Sequence, residues 1–336
     1  MRSPTPAYSP DATEVLLLEG TRRLVLGPVV GRGALGIVRV GELQSASGVR
    51  KRVAVKVFDA LFASEGEGTN VLARAVRHAA HVRHPNVVEV FELGVLGEHP
   101  YIVTELVEGC SLDTLRGLYA TAARRMPLDL VLFVATEAAE GLAAARGSRN
   151  AEGIVLQMSH HDLSARQVLL SWNGEVKVGD FGFRAAGMSA SGIRPARQEV
   201  RKTLTYLAPE VVRGDRGDAR SDVFAMGIIL HELLRGPRYA DEASDTQVYE
   251  ATLRGDILRT VREPLLPTEL AAVLERATSL DPQERPAHAG VLAYDLRRIA
   301  LSMGVGDART FLRHALFEMT EGMLPVEKTE PNPATL

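Results

Sequence analysis

The hydrophobic period of the sequence changes once, just after residue 105, and few folds accommodate such a change. From Leu24 to Glu105 the apolar residues fall in short alternating or β-branched runs, LVLGPVVGRG, GIVRVGEL, RVAVKVF and YIVTEL, with one helical stretch around NVLARAVRHAAHV. After LVEGCS the period lengthens to that of helices, in LVLFVATEAAEGLAAA, SDVFAMGIILHELLRG, TELAAVLERATSL and VLAYDLRRIALSM. A single strand pair, VLLSWNGEVKV with its Asn173-Gly174 turn, interrupts that second region. The expected fold class is α+β. A small antiparallel sheet with one main helix forms the first lobe, and a larger, mainly helical lobe follows. With 336 residues, 46% of them hydrophobic and 24% charged, the chain is long enough to bury a core in each lobe.

Composition excludes several functions. The formal net charge is −3, with Lys and Arg spread along the chain, so nucleic acid is not an expected partner. One cysteine, Cys110, permits neither an internal disulfide nor a cysteine-based zinc site, which agrees with a reducing, cytoplasmic compartment. The opening MRSPTPAYSPDATE has no cationic segment followed by an apolar run, so no secretory leader is expected. The most apolar region, residues 126–145, is interrupted by Asp129, Glu137 and Glu140 and is expected to be a partly buried helix of a soluble domain, not a membrane span.

Three motifs, in order, carry the chemistry. GRGALGIV, residues 31–38, places Gly31, Gly33 and Gly36 where backbone N–H groups can close over phosphates. A dinucleotide-binding version needs a helix straight after the glycines, whereas residues 37–43 continue as a strand. A plain glycine-rich hairpin stays open until a phosphate partner is found. Lys56 in VAVKV is that partner: Val53, Val55 and Val57 alternate with Ala54 and Lys56, and the lysine follows Gly36 by 20 residues. Asp180, Phe181 and Gly182 then follow the strand EVKVG and put a carboxylate at a strand end, where it can hold Mg²⁺ against phosphates.

These motifs, with His160, Asp162 and Leu163 in HHDLSARQVLL, LAPE at 207–210, SDVFAMGIILHELLRG at 221–236 and DPQERP at 281–286, resemble a eukaryotic-type serine/threonine protein kinase domain of the kind found in bacteria. The resemblance covers about residues 24–300. It implies an N-terminal extension at 1–23, an N-lobe at 24–104, a hinge at 105–110, a C-lobe at 111–300 and a C-terminal helix and tail at 301–336. It also implies ATP with Mg²⁺ or Mn²⁺, and a protein substrate or signalling partner. The adenine pocket takes Val30, Val38 and Ala54 above, Leu169 below, Thr104 as gatekeeper and the backbone of Glu105 to Val107 as hinge. Asp162 becomes the base, with Lys56 and Thr203 as the other catalytic positions, and Asp180 and Gln167 the metal positions. The same resemblance makes Glu210 and Arg285 a buried ion pair, and Asp222 the anchor of the loop backbone.

The departures from the family pattern cluster. Ala75 stands nine residues before His84, where the family has a glutamate paired with the strand lysine, and Ala79 replaces a larger apolar residue one turn on. Gln167 replaces asparagine and is one methylene longer, His161 replaces arginine, and Ser164 replaces lysine. The stretch DLSARQ, with Arg166, also resembles the tyrosine-kinase form, while TLTYLAPE with Thr203 favours serine and threonine hydroxyls. The expected function is an atypical serine/threonine kinase of low activity. The alternatives are a nucleotide-binding pseudokinase acting as a scaffold or allosteric partner, and a non-kinase phosphotransferase on the same fold.

Overall fold

A computed structural model describes residues 14–17, 22–33, 36–59, 67–181, 204–239, 243–256, 266–306 and 308–320. Gly182 and Thr203 lie outside them. The first lobe is an antiparallel six-stranded sheet in the order β1-β2-β3-β4-β6-β5, from β1 (Glu14–Leu17), β2 (Arg23–Gly33), β3 (Gly36–Gln44), β4 (Arg50–Phe58), β5 (Val90–Leu96) and β6 (His99–Glu105). Its alternation is that of strands with one covered face: Val53, Val55 and Val57 of β4 are buried while Ala54 and Lys56 face the other way. Helix α1 (Glu67–Ala79) packs Leu72, Val76 and Ala79 against Phe58, Val90 and Ile102.

Two of these strands escaped the sequence reading. β1 lies inside the expected N-terminal extension and pairs with β2 through Glu14↔Leu26 to Leu17↔Arg23. β5, VFELGVL, carries Glu92 and Gly94 and shows little alternation, being half-buried along most of its length.

The second lobe begins with a three-stranded sheet, β7 (Gly109–Ser111), β8 (Val168–Ser171) and β9 (Val176–Val178), with Gly174 at φ +80° turning the chain between the last two. Around it, among the described residues, lie α2 (Leu112–Thr121), α3 (Leu128–Gly147), α4 (Pro209–Val212), α5 (Ala219–Arg235), α6 (Asp245–Arg254), α7 (Thr268–Ala277), α8 (Ala289–Ser302) and α9 (Ala308–Met319). α3 is the apolar 126–145 region. Its Leu130, Val134, Ala138 and Leu142 sit in the core with Val223, Ile228 and Leu296, so its hydrophobicity is spent inside the lobe. No helix among the described residues is long and apolar enough to cross a membrane.

α9 extends the core past the kinase-like motifs. Leu312, Ala315 and Leu316 join the same cluster, and a Cβ on Gly174 would lie 2.6 Å from the Arg309 carbonyl. Arg124, within the α2–α3 connection, pairs with Glu318 at 2.6 Å.

The lobes are tied through the segment His84-Pro85-Asn86. Asn86 Nδ2 donates to Glu137 Oε2 of α3 (2.8 Å) and to the Val176 carbonyl (2.9 Å), while Val178 N–H donates to the Asn86 carbonyl and Val88 N–H to the Val178 carbonyl. A Cβ at Gly141 of α3 would come within 2.4 Å of the Asn86 carbonyl, so the helix approaches as closely as it does because that position is bare.

Candidate active site

Between the lobes lies a cleft of about 1120 Å³. Its roof is Val30, Val38 and Ala54, from the sheet face that alternation left uncovered, and Leu169 of β8 forms part of its floor. Thr104, Glu105 and Val107 form one edge. The Glu105 amide is used by the Glu89 carbonyl (2.8 Å), and its carboxylate by Lys177 of β9 at 2.9 Å. Apolar walls with main-chain groups at one edge suit a planar purine.

Gly36, at φ +140°, is required by the fold, since a Cβ there would lie 2.1 Å from the Val57 carbonyl. Gly33 has nothing within 4 Å, so no contact among the described residues demands a glycine. Its bareness fits close approach of a ligand to the hairpin backbone.

Lys56 Nζ lies 2.8 Å from Asp180 Oδ2. Where the family has a glutamate, Ala75 packs into the apolar cluster under the sheet together with Ala79, which also lines the cleft. Asp180 thus holds the lysine. It adopts φ +61°, an uncommon backbone for a non-glycine residue. The next residue, Phe181, is buried with its ring 4.7 Å from that of His160, and His160 Nε2–H donates to the Gly179 carbonyl at 2.8 Å. Gly179 N–H in turn donates to the Gln167 carbonyl (3.0 Å), which joins the two loops at their bases.

The catalytic-loop backbone is held from below. Asp222 in the first turn of α5 accepts His160 N–H at 2.7 Å on one oxygen and His161 N–H at 2.9 Å on the other. Burial pushes the Asp222 carboxyl up, and the two amides pull against that shift. His161 takes φ +62° at this point. Arg285, fully buried, forks onto Glu210 with Nη1–Oε1 at 2.7 Å and Nη2–Oε2 at 2.8 Å. Burial alone would raise Glu210, but the Arg285 and Ser221 hydrogen bonds outweigh it and hold the carboxyl below its ordinary value.

Asp162 faces a second, smaller cavity of about 50 Å³, shared with His161, Ser164, Leu207 and Ala208. Arg166 and Gln167 line both spaces, so the cavity around Asp162 adjoins the cleft holding Lys56 and Asp180. The chain after Thr203 is pinned beside it. Arg238 Nη1 donates to the Thr205 carbonyl at 2.6 Å and Tyr206 hydroxyl to Glu232 Oε2 at 2.6 Å.

Among the described residues no group of three or more His, Cys, Asp or Glu could hold a metal unaided. One carboxylate, Asp180, on the wall of the cleft fits Mg²⁺ or Mn²⁺, which are held through one or two carboxylates with substrate phosphates and water. The Gln167 amide oxygen accepts the Ser164 hydroxyl.

Of the expected site residues, the structure brings Val30, Val38, Ala54, Lys56, Thr104, Glu105, Val107, Leu169, Gln167 and Asp180 onto one cleft. It sets Asp162 in the adjoining cavity, and Gly31, Gly33 and Gly36 in the β2–β3 hairpin. Sequence reasoning missed the Lys177–Glu105 pair behind the hinge, the Arg52–Glu108 pair at the cleft mouth and Trp172 on the cleft wall.

A family model described as protein tyrosine and serine/threonine kinase matches residues 24–294. The chain belongs to that family. This kinase domain is 32% identical over 277 residues to tyrosine-protein kinase MasK of Myxococcus xanthus, covering 82% of this chain and 42% of that one. It is 30% identical over 304 residues to serine/threonine-protein kinase PknL of Mycobacterium bovis, covering 89% and 70%. It is 32% identical over 284 residues to serine/threonine-protein kinase PknB of Mycobacterium leprae, covering 82% and 43%. The domain thus spans less than half of two of these relatives. The crystal structure of the M. tuberculosis PknI kinase domain shows the same fold, with a TM-score of 0.60 at 21% identity over 88% of this chain and 99% of that one.

Proposed function

We propose that the domain is a serine/threonine protein kinase that transfers the γ-phosphoryl group of ATP to hydroxyls of protein substrates in the cytoplasm. The observation that carries this reading is the adjacency of Lys56 and Asp180 in one cleft to Asp162 in the cavity next to it, the two spaces sharing Arg166 and Gln167. Similarity to PknL and PknB supports serine and threonine as acceptors, as does the TLTYLAPE segment.

In this reading the purine lies between Ala54 and Leu169 against the hinge, and Lys56 binds phosphate oxygens. Asp162 orients the acceptor hydroxyl and takes its proton as the oxygen attacks the γ-phosphorus and ADP leaves. A divalent ion at Asp180 supplies neutralisation of the charge that builds on the phosphates. Low activity follows from Ala75 standing where the family has a glutamate: the carboxylate described against Lys56 is Asp180, the same group that would hold a metal. Loss of one such preorganised contact costs on the order of a hundredfold to a thousandfold in rate.

The test is radiolabel transfer from ATP to the protein itself and to generic substrates, with Mg²⁺ and with Mn²⁺, alongside Asp162→Ala. Label that appears with the native protein and disappears with the variant supports the reading. ATP-induced thermal stabilisation with no transfer under either metal favours the nucleotide-binding pseudokinase.

A further inference from the structure

Two of the departures in the catalytic loop touch one another. The Ser164 hydroxyl donates to Gln167 Oε1, and the same hydroxyl accepts the Arg166 amide at 3.3 Å. The main chain closes the turn through Gln167 N–H to the Ser164 carbonyl at 3.1 Å, and Gly179 N–H fixes the Gln167 carbonyl on the strand leading to Asp180. The Gln167 side chain is thus anchored at both its backbone and its amide oxygen. Gln167 lines the nucleotide cleft, whereas Ser164 lines only the cavity around Asp162. The amide oxygen is therefore drawn towards the base side of the loop.

Charge adds an independent reason. Protein kinases hold two Mg²⁺ ions, one through the aspartate after the strand and one through an amide oxygen of the catalytic loop. Here Lys56 has its described carboxylate partner in Asp180 alone, because Ala75 and Ala79 supply none. Once Asp180 binds a cation, the ammonium of Lys56 opposes a second one a short distance away. Mg²⁺ also demands near-ideal octahedral geometry at about 2.0–2.1 Å, which an oxygen already committed to a serine meets poorly.

We propose that Ser164 locks the Gln167 amide out of metal coordination, so that the site takes up one divalent cation per bound nucleotide, through Asp180, instead of two. The inference rests on the nucleotide-binding half of the proposed function, and it makes Ser164 a positioning residue that sets metal stoichiometry.

The experiment is a Mn²⁺ titration of the full chain followed by electron paramagnetic resonance, with a saturating non-hydrolysable ATP analogue. The native protein is expected to bind one ion. Ser164→Ala is expected to bind a second at least tenfold more tightly than the native protein does, and Ser164→Ala with Gln167→Ala to return to one. Two ions on the native protein overturn the proposal, as does a single ion on Ser164→Ala, or a second ion that survives removal of the Gln167 amide. A native protein that takes up no Mn²⁺ with the analogue overturns the nucleotide reading itself, and this inference falls with it. That outcome is distinct from the others, in each of which the native protein binds at least one ion.

Discussion

Helices α1 and α5 approach the same site from opposite lobes, and they differ in what they offer it. α5 carries Asp222 into the interior, where both carboxylate oxygens are used by loop amides, and its N-terminus is fixed by an Asp218–Ser221 capping box. Among its described side chains α1 offers Ala75 and Ala79, which pack with Phe58 and Ile102. The lower half of the site is positioned by buried, bidentate polar contacts. The upper half depends on Lys56–Asp180, a pair whose side chains are 21% and 42% exposed. The difference teaches where a kinase can change a contact while keeping its shape: removing a buried anchor costs several kcal/mol, whereas removing a partly solvated partner of the lysine costs little.

The largest expected effect lies in the lower half. Arg285→Ala leaves the largely buried Glu210 without its ion-pair partner and with only Ser221 as a side-chain donor, and urea unfolding at pH 7 should show a loss of about 3–5 kcal/mol. A loss under ~1 kcal/mol would remove the contrast. Next comes acid. Burial first, then Arg235 and Arg238, depress His231 in α5 from 6.5 to about 4. Between those values the unfolded chain binds a proton that the folded one refuses, so stability falls as pH drops, by ~2 kcal/mol on reaching pH 5. His231→Phe should flatten that slope in unfolding curves taken from pH 7 to 5; an unchanged slope sinks the assignment.

The upper half should respond in the other direction. Ala75→Glu restores a carboxylate for Lys56 and should raise radiolabel transfer about tenfold, on the order of 1.4 kcal/mol of barrier. Adding Gln167→Asn should raise it further, and adding Asp162→Ala should abolish the gain. No gain from either change would mean that α1 is not what limits the enzyme. The smallest effect is on Lys56→Met without nucleotide: because the pair is partly solvated, unfolding should shift by less than ~1 kcal/mol, while ATP-induced thermal stabilisation is lost.

What could be read in the sequence depended on how local the cause was. Period alone located β4, α3 and α5, because burial on one face is written every second or every third to fourth residue. β5 was missed since Glu92 and Gly94 break its pattern, and β1 since four residues are too few to show one. Glu210–Arg285 and Asp222 were legible only through their motifs, being 75 and about 61 positions from their partners. Lys56–Asp180, 124 apart, was not anticipated as a contact, although both residues were named. The Ser164–Gln167 bond was within reach at a spacing of three, but each substitution had been weighed singly. Thr203 and Gly182 lie outside the described residues.

The match to the kinase family model ends at residue 294, yet the folding unit does not. α9 seats Leu312 and Leu316 in the same hydrophobic cluster as α3 and rests on the bare turn at Gly174. A truncation drawn at the edge of the resemblance would cut through α8 and strip α9 away, uncovering apolar surface next to the strands that floor the cleft. Such a fragment should be sticky and heat-labile, and assays on it would report a damaged protein as an inactive one. The unit to express, compare or graft includes α9.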